Sequence, residues 1–282
     1  MAQAVGSDRS PLVVAQVYAN AAQTKLRANL AQQEYALPGV GRTIQRVSET
    51  RFEAIFDRYD DDVVFVHAGL SAVKSAFNRN PYTYLRDTLL DSFDSVLVPG
   101  FTPSFRQTGV YHKQYSKPEY GAFARQFLSD ATYRTDDAIH SILVAGEYRF
   151  DGCVHSDTFG SNGCWAQLDT DNVLYCNVGT PWIVSTQHHL IEHRADVPYN
   201  HTVSHDGVIY YDDKAYSPLT QQNYRYDMPA RRSAPKILRD MRNEGVIDHY
   251  DLDGLKLNFF RARDLRERLV PKLKADPYYL IA

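Results

Sequence analysis

Cysteine is scarce in this sequence: Cys153, Cys164 and Cys176 are the three present in 282 residues. So small and odd a number builds no disulfide framework and suits a reducing compartment, so a cytoplasmic protein is expected. Charge of either sign is not in excess. With 31 Lys+Arg against 34 Asp+Glu, the formal net charge is −3, which gives no field to attract nucleic acid or an anionic membrane. Long apolar runs are absent too. No stretch reaches the roughly 18 residues of a membrane-spanning helix. Near the start, Pro11-Leu12-Val13-Val14-Ala15 is too short for the core of a secretory leader, so none is expected. Neither repeats nor low-complexity tracts occur. What remains, 44% hydrophobic and 23% charged, is an ordinary globular composition with enough length for a full core.

That composition is arranged as an alternation. Continuous apolar runs at Val63-Val64-Phe65-Val66, Ser95-Val96-Leu97-Val98, Ile142-Leu143-Val144-Ala145 and Val173-Leu174-Tyr175-Cys176-Asn177-Val178 predict strands buried on both faces. Helical spacing is expected over 43–59, 82–92, 119–128, 161–168, 185–194, 234–244 and 263–274. Short strands are expected at 208–211 and 255–260. The small residues of His67-Ala68-Gly69-Leu70-Ser71-Ala72 suggest a loop. Strands alternating with helices point to an α/β layered domain. Residues 1–40 read as a polar leader and a helix rich in Ala and Gln, divided from the rest by Leu37-Pro38-Gly39, a turn signal.

Histidine is distributed unevenly: His188, His189, His193, His201 and His205 make five of the ten. On a helix, positions 189, 192 and 193 share a face. Two chemistries fit. The spacing His-x-x-Glu-His is that of the inverted zincins, with His189 and His193 on zinc and Glu192 activating a bound water. A third ligand would then come from elsewhere, Glu244 and Glu267 being available. Alternatively His189 accepts a proton from a nucleophile while Glu192 holds its tautomer and stabilises the imidazolium. A solvated polar helix end is the third reading. The stretch Val98-Pro99-Gly100-Phe101-Thr102 leaves a strand through a turn, and Ala138-Ile139-His140-Ser141 sits at a strand entry, a common place for ligand contacts in open α/β sheets.

The order of these segments carries a resemblance. Val64-Phe65-Val66-His67-Ala68-Gly69-Leu70-Ser71-Ala72-Val73 is followed by Val98-Pro99-Gly100-Phe101-Thr102, then by His140-Ser141-Ile142 before Ala145-Gly146. Phe159-Gly160 and Trp165 come next, then His189-Leu190-Ile191-Glu192 before Ala195-Asp196-Val197-Pro198. From about residue 45 to the C-terminus the chain resembles the aminoglycoside 3-N-acetyltransferase (antibiotic acetyltransferase) family. Lys274-Ala275-Asp276-Pro277 and Val197-Pro198-Tyr199 are closer to members associated with sugar and polysaccharide biosynthesis than to those of drug resistance.

The resemblance implies a layered α/β/α sandwich of the antibiotic acetyltransferase type, a single domain over 41–282 preceded by a helical extension over 1–40. It implies transfer of acetyl from acetyl-CoA to an amine, that of an amino sugar or related small molecule, with no metal and no acyl-enzyme. Gly69, Leu70, Ser71, Ala72 and Val73 would then lie along CoA, His140 and Ser141 near its thioester, and Phe101 and Thr102 at the substrate. His189 matches the family's catalytic histidine and Glu192 its acidic partner; Asp227 is the candidate for a further acid. CoA and a small amine are the expected partners, with no nucleic acid or membrane and with homodimerisation open. Two departures stand out: Gly69 replaces a usual serine, and Asp136-Asp137-Ala138 replaces a His-Pro pair. The competing readings are a zinc hydrolase using His189, Glu192 and His193, and an inactive relative that binds CoA or sugar.

Overall fold

The structure, a computed structural model, describes residues 44–227 and 232–281 together with positions 11, 12, 15, 18, 19, 22 and 26, which are helical and exposed. Most of the expected extension over 1–40 lies outside the described residues. In chain order the elements begin with α1 (Glu49–Phe56), β1 (Val63–Ala68), α2 (Leu70–Ala76), α3 (Pro81–Ser92) and β2 (Ser95–Pro99). Then come α4 (Phe105–Thr108), β3 (Val110–His112), α5 (Ala122–Phe127), β4 (Tyr133–Arg134), β5 (Ile142–Gly146), α6 (Cys164–Thr170) and β6 (Leu174–Val178). The chain continues through α7 (Gln187–Arg194), β7 (Asn200–Tyr210), β8 (Tyr216–Tyr226), α8 (Ala234–Asn243), β9 (Asp248–Leu252), β10 (Leu255–Arg261) and α9 (Ala262–Ala275).

A seven-stranded sheet of order β4-β5-β2-β1-β6-β10-β9 is the centre of the molecule. β1 runs parallel to β2 and β6, and the flanking pairs are antiparallel. Alternate residues of the same strand feed two cores, as the pleat requires. Phe65, Leu97, Val144 and Tyr175 pack with Trp165, Ile191, Met241 and Leu269 from α6 to α9. Val64, Val66, Val96 and Cys176 pack with Phe56, Val73, Leu85 and Phe127 from α1, α2, α3 and α5. Helices therefore cover both faces, the expected α/β/α sandwich, which is why the central strands read as unbroken apolar runs. Tyr175 stacks between Phe65 and Phe260 with ring centroids 4.9 and 5.1 Å away; each such buried ring contributes about 1.5–3 kcal/mol.

The segment expected as a loop over 67–72 is instead the end of β1 and the start of α2. Its small residues serve a close backbone approach rather than flexibility. Gly69 N donates to Val178 O at 2.8 Å, and a Cβ on Gly69 would stand 2.6 Å from Gly179 O. The serine that the family resemblance places here has no room. The helix expected over 43–59 is shorter because the backbone before it is already committed: Gln45 N donates to Asp253 O at 2.9 Å and Val47 N to Ala76 O at 3.1 Å.

A second, three-stranded sheet of order β3-β7-β8 exceeds the short strand expected at 208–211. β7 and β8 form an antiparallel hairpin in register from Asn200↔Tyr226 to Tyr210↔Tyr216. Most of its side chains are exposed or half-buried, which removes the apolar signal by which strands are recognised.

Candidate active site

Helix α7 sets the site. Leu190 and Ile191, both fully buried, bolt it to the core, and this fixes His189 and Glu192, one turn apart, toward the interior. Glu192 is completely buried and accepts hydrogen bonds on both oxygens. Tyr199 Oη donates to Oε1 at 3.0 Å, while Tyr226 Oη (2.8 Å) and Arg232 Nη2 (3.0 Å) donate to Oε2. His189 Nδ1 stands 3.2 Å from the same Oε2. Tyr224 Oη touches the His189 ring, and Arg232 Nη2 lies 3.0 Å from its Nε2.

Burial would raise the Glu192 carboxyl, but Arg232, His189 and Tyr226 outweigh it and hold it down at about 2. Burial first and the Arg232 charge second push His189 down to about 4. At neutral pH the pair is thus carboxylate and neutral imidazole, the basic form of the ring. An imidazolium formed on His189 would face a ready counter-charge.

Two cavities meet at this histidine. The smaller, about 470 Å³, opens at the carboxyl ends of β1 and β2 and is lined by Ala68, Pro99, Trp182, Ile183 and His188 among others. The larger, about 820 Å³, lies between α4 and the β7–β8 hairpin and includes Arg106, His140, His205, Tyr224 and Arg225. Phe101, Tyr120, Thr186 and His189 line both. The carboxyl ends of parallel strands are where open α/β sheets bind ligands, and both volumes suit small molecules.

The residues singled out from sequence divide sharply. His189, Glu192, Phe101 and His140 converge here. Of the CoA candidates, Gly69 packs against Gly179, Ala72 and Val73 are buried in the core, Leu70 is half-buried and Ser71 is exposed on α2. Ser141 is fully buried, its hydroxyl donating to Gly100 O at 2.7 Å. Thr102 is buried with Oγ1 donating to Ala138 O at 2.7 Å. Asp227 pairs with His201 at 2.5 Å, so the carboxylate that meets His189 is Glu192.

The Asp136-Asp137 departure has a local explanation. The buried Asp137 accepts from the backbone N–H of Ile139 (2.9 Å) and His140 (2.6 Å), a side-chain turn that presents His140. Asn223 Nδ2 lies 2.9 Å from His140 Nδ1, so with the amide donating the ring proton sits on Nε2. Tyr199, Tyr224 and Tyr226 belong to a run of the sequence rich in tyrosine, which by itself does not single them out. Asn223 and Arg232 carried no signal at all, because no motif surrounds them.

The zinc arrangement does not form. His193 is exposed, whereas His189 turns inward to Glu192 and the Arg232 guanidinium, so the two histidines do not face a common ion. Among the described residues no three His, Cys, Asp or Glu side chains are grouped to hold a metal ion. Among them also, no helix is long and apolar enough to cross a membrane.

The buried histidines make stability pH-dependent. Burial lowers His67 and, with help from Arg232, His188 and His189, to about 4, 3 and 4 from an ordinary 6.5, and His140 falls well below it. Groups whose folded-state value is depressed contribute fully above 6.5. As pH falls, the unfolded chain takes up protons that the folded one refuses. Asp137, raised by burial to about 6, and Asp61, also raised by burial, act in the opposite sense but are outnumbered by the depressed histidines. The melting temperature is therefore expected to drop between about pH 6.5 and 4, each tenfold loss of proton affinity on folding corresponding to about 1.4 kcal/mol. Calorimetric scans showing an unchanged melting temperature over that range would contradict the assignment.

The sequence and fold have known counterparts. Residues 65–274 match the family profile described as aminoglycoside 3-N-acetyltransferase. No curated protein sequence matches the chain. Among solved structures, AAC-IIIb in a binary complex with CoASH superposes with a TM-score of 0.65 at 16% identity, over 82% of this chain and 97% of that one. The YokD protein from Bacillus subtilis gives 0.64 at 13% identity, over 83% and 96%. A variant of aminoglycoside acetyltransferase AAC(3)-IVa in complex with a gentamicin gives 0.62 at 16% identity, over 84% and 91%. At such identities these structures are similar in fold.

Proposed function

The chain belongs to the aminoglycoside 3-N-acetyltransferase family and is an acetyl-CoA-dependent N-acetyltransferase, and from that premise we propose that it acetylates the amine of an amino sugar or related small molecule with His189 as general base. The observation that carries this reading is the placement of His189 on the shared wall of two cavities with a buried, ionised Glu192 behind it. Two chambers meeting at one base suit a ternary complex. The smaller, at the strand ends, would receive the pantetheine arm and thioester; the larger would receive the acceptor. AAC-IIIb was solved with CoASH and AAC(3)-IVa with a gentamicin, so relatives of this fold bind both kinds of partner.

The amine nitrogen attacks the thioester carbonyl, forming the N–C bond. Its proton passes to His189 as the attacking nitrogen becomes strongly acidic, which allows a base of depressed pKa to serve. The C–S bond then breaks and the thiolate leaves, taking up a proton to give CoASH and the amide. Glu192 stabilises the transient imidazolium. His140, neutral with its proton on Nε2 and its ring 6.4 Å from that of His189, would serve as a donor to the developing oxyanion where the two cavities meet. Phe101 forms part of both chamber walls and would hold the reacting ends together.

An assay of CoASH release from acetyl-CoA, run across a panel of amino sugars and simple amines with mass spectrometric detection of the amide, tests the reading. Amine-dependent release with a stoichiometric N-acetyl product is expected. Binding of acetyl-CoA without transfer to any amine would instead favour the inactive-relative reading.

A further inference from the structure

The larger cavity carries a charge pattern that the family name does not suggest. Arg106 on α4 and Arg225 on β8 both line it, and no carboxylate is among the described residues that do. Neither guanidinium has an ion-pair or hydrogen-bond partner among the described residues. His205, on the same wall, has a buried Nε2 without a partner among them. Glu119, next in sequence to the lining residue Tyr120, accepts from Ser104 N at 2.8 Å and does not itself line the cavity. Burial is the main cause of the low basicity of His140, His189 and His205, and the Arg106 charge adds to it at all three.

We infer that the acceptor bound in this cavity is an amine that also bears an anionic group, a phosphate ester or a carboxylate, rather than a polycationic aminoglycoside. The inference rests on the acetyl-transfer reading of the site. An aminoglycoside would bring several ammonium groups to a wall of two unpaired guanidiniums with no carboxylate to receive them. An anionic substituent would instead meet planar, donor-only groups suited to bidentate binding of phosphate or carboxylate. The same positive field acts on the reacting amine: nearby cations disfavour its ammonium form, so the free base needed for attack is delivered to His189. The phosphates of CoA share the chemistry of such an anion, and the test separates the two sources.

Steady-state kinetics with glucosamine 6-phosphate, glucosamine and neamine as acceptors compare the wild-type enzyme with an Arg106→Gln/Arg225→Gln variant. Glucosamine 6-phosphate is expected to have the lowest KM. Loss of charge-assisted hydrogen bonds should raise that KM about 10- to 100-fold in the double variant, with the KM for acetyl-CoA unmoved. Neamine as the best acceptor would overturn the inference. So would a rise in the KM for acetyl-CoA in place of that for the phosphorylated amine, which would give the arginines to CoA. Should no amine be acetylated, the transfer reading fails, and the charge assignment is decided by calorimetric titration of the CoA-saturated protein. Binding of glucosamine 6-phosphate that is lost in the double variant supports it; equal or tighter binding of neamine, or no binding of the phosphate ester, overturns it.

Discussion

Replacing His189 by asparagine is expected to lower kcat about a hundred- to ten-thousand-fold, the usual contribution of a positioned general base. Asparagine is compact and polar, so it keeps a hydrogen-bonding side chain beside Glu192 and Tyr224 while losing the basic lone pair. The effect should fall on kcat more than on either KM, because His189 borders both chambers without supplying most of either wall. Stopped and continuous CoASH-release assays measure it, with the melting temperature as the control for folding. A His189→Asn protein of unchanged stability that turned over at the wild-type rate would remove His189 from the mechanism.

The second large effect is on stability. Glu192→Leu should cost about 3–5 kcal/mol, because it leaves the largely buried Arg232 guanidinium without its counter-charge. It also strips the hydroxyls of Tyr199 and Tyr226 of their acceptor. A second change, Arg232→Met, removes the orphaned cation. The Glu192→Leu/Arg232→Met protein is therefore expected to regain much of the lost stability, an interaction between neighbours that single substitutions do not reveal. It should not regain activity, since His189 would still lack its carboxylate. Urea midpoints of the two single variants and the double variant measure the cycle. Strictly additive losses would show that the ion pair is not the source of the cost.

These two expectations draw on features of unequal visibility in the sequence. The central strands were legible because both faces are covered, so Val64 and Phe65 are apolar for opposite cores. His189 and Glu192 were legible as a pair because a helix brings i and i+3 together whatever surrounds them. The hairpin was mostly hidden, since many of its side chains are polar and β8 contains Pro218, a residue that argues against a strand. Arg232 was invisible for a different reason. Its role depends on a contact with a residue 40 positions away, and nothing local distinguishes it from a surface arginine. The helix start at Leu70 was masked by glycine and alanine that answer to the nearby backbone at Gly179 rather than to a turn.

The two chambers rest on unlike foundations. The one at the strand ends has the ends of β1 and β2 in its wall, where changing a single methylene is felt in the packed core. The other takes one of its walls from a hairpin whose outward residues are free of such constraints. If that chamber holds the acceptor, as proposed, a lineage could trade one amine for another by altering Val203, His205 or Arg225 without disturbing the sheet. With the chambers assigned as proposed, the choice of amine would be the enzyme's most evolvable property and its use of acetyl-CoA the most conservative one.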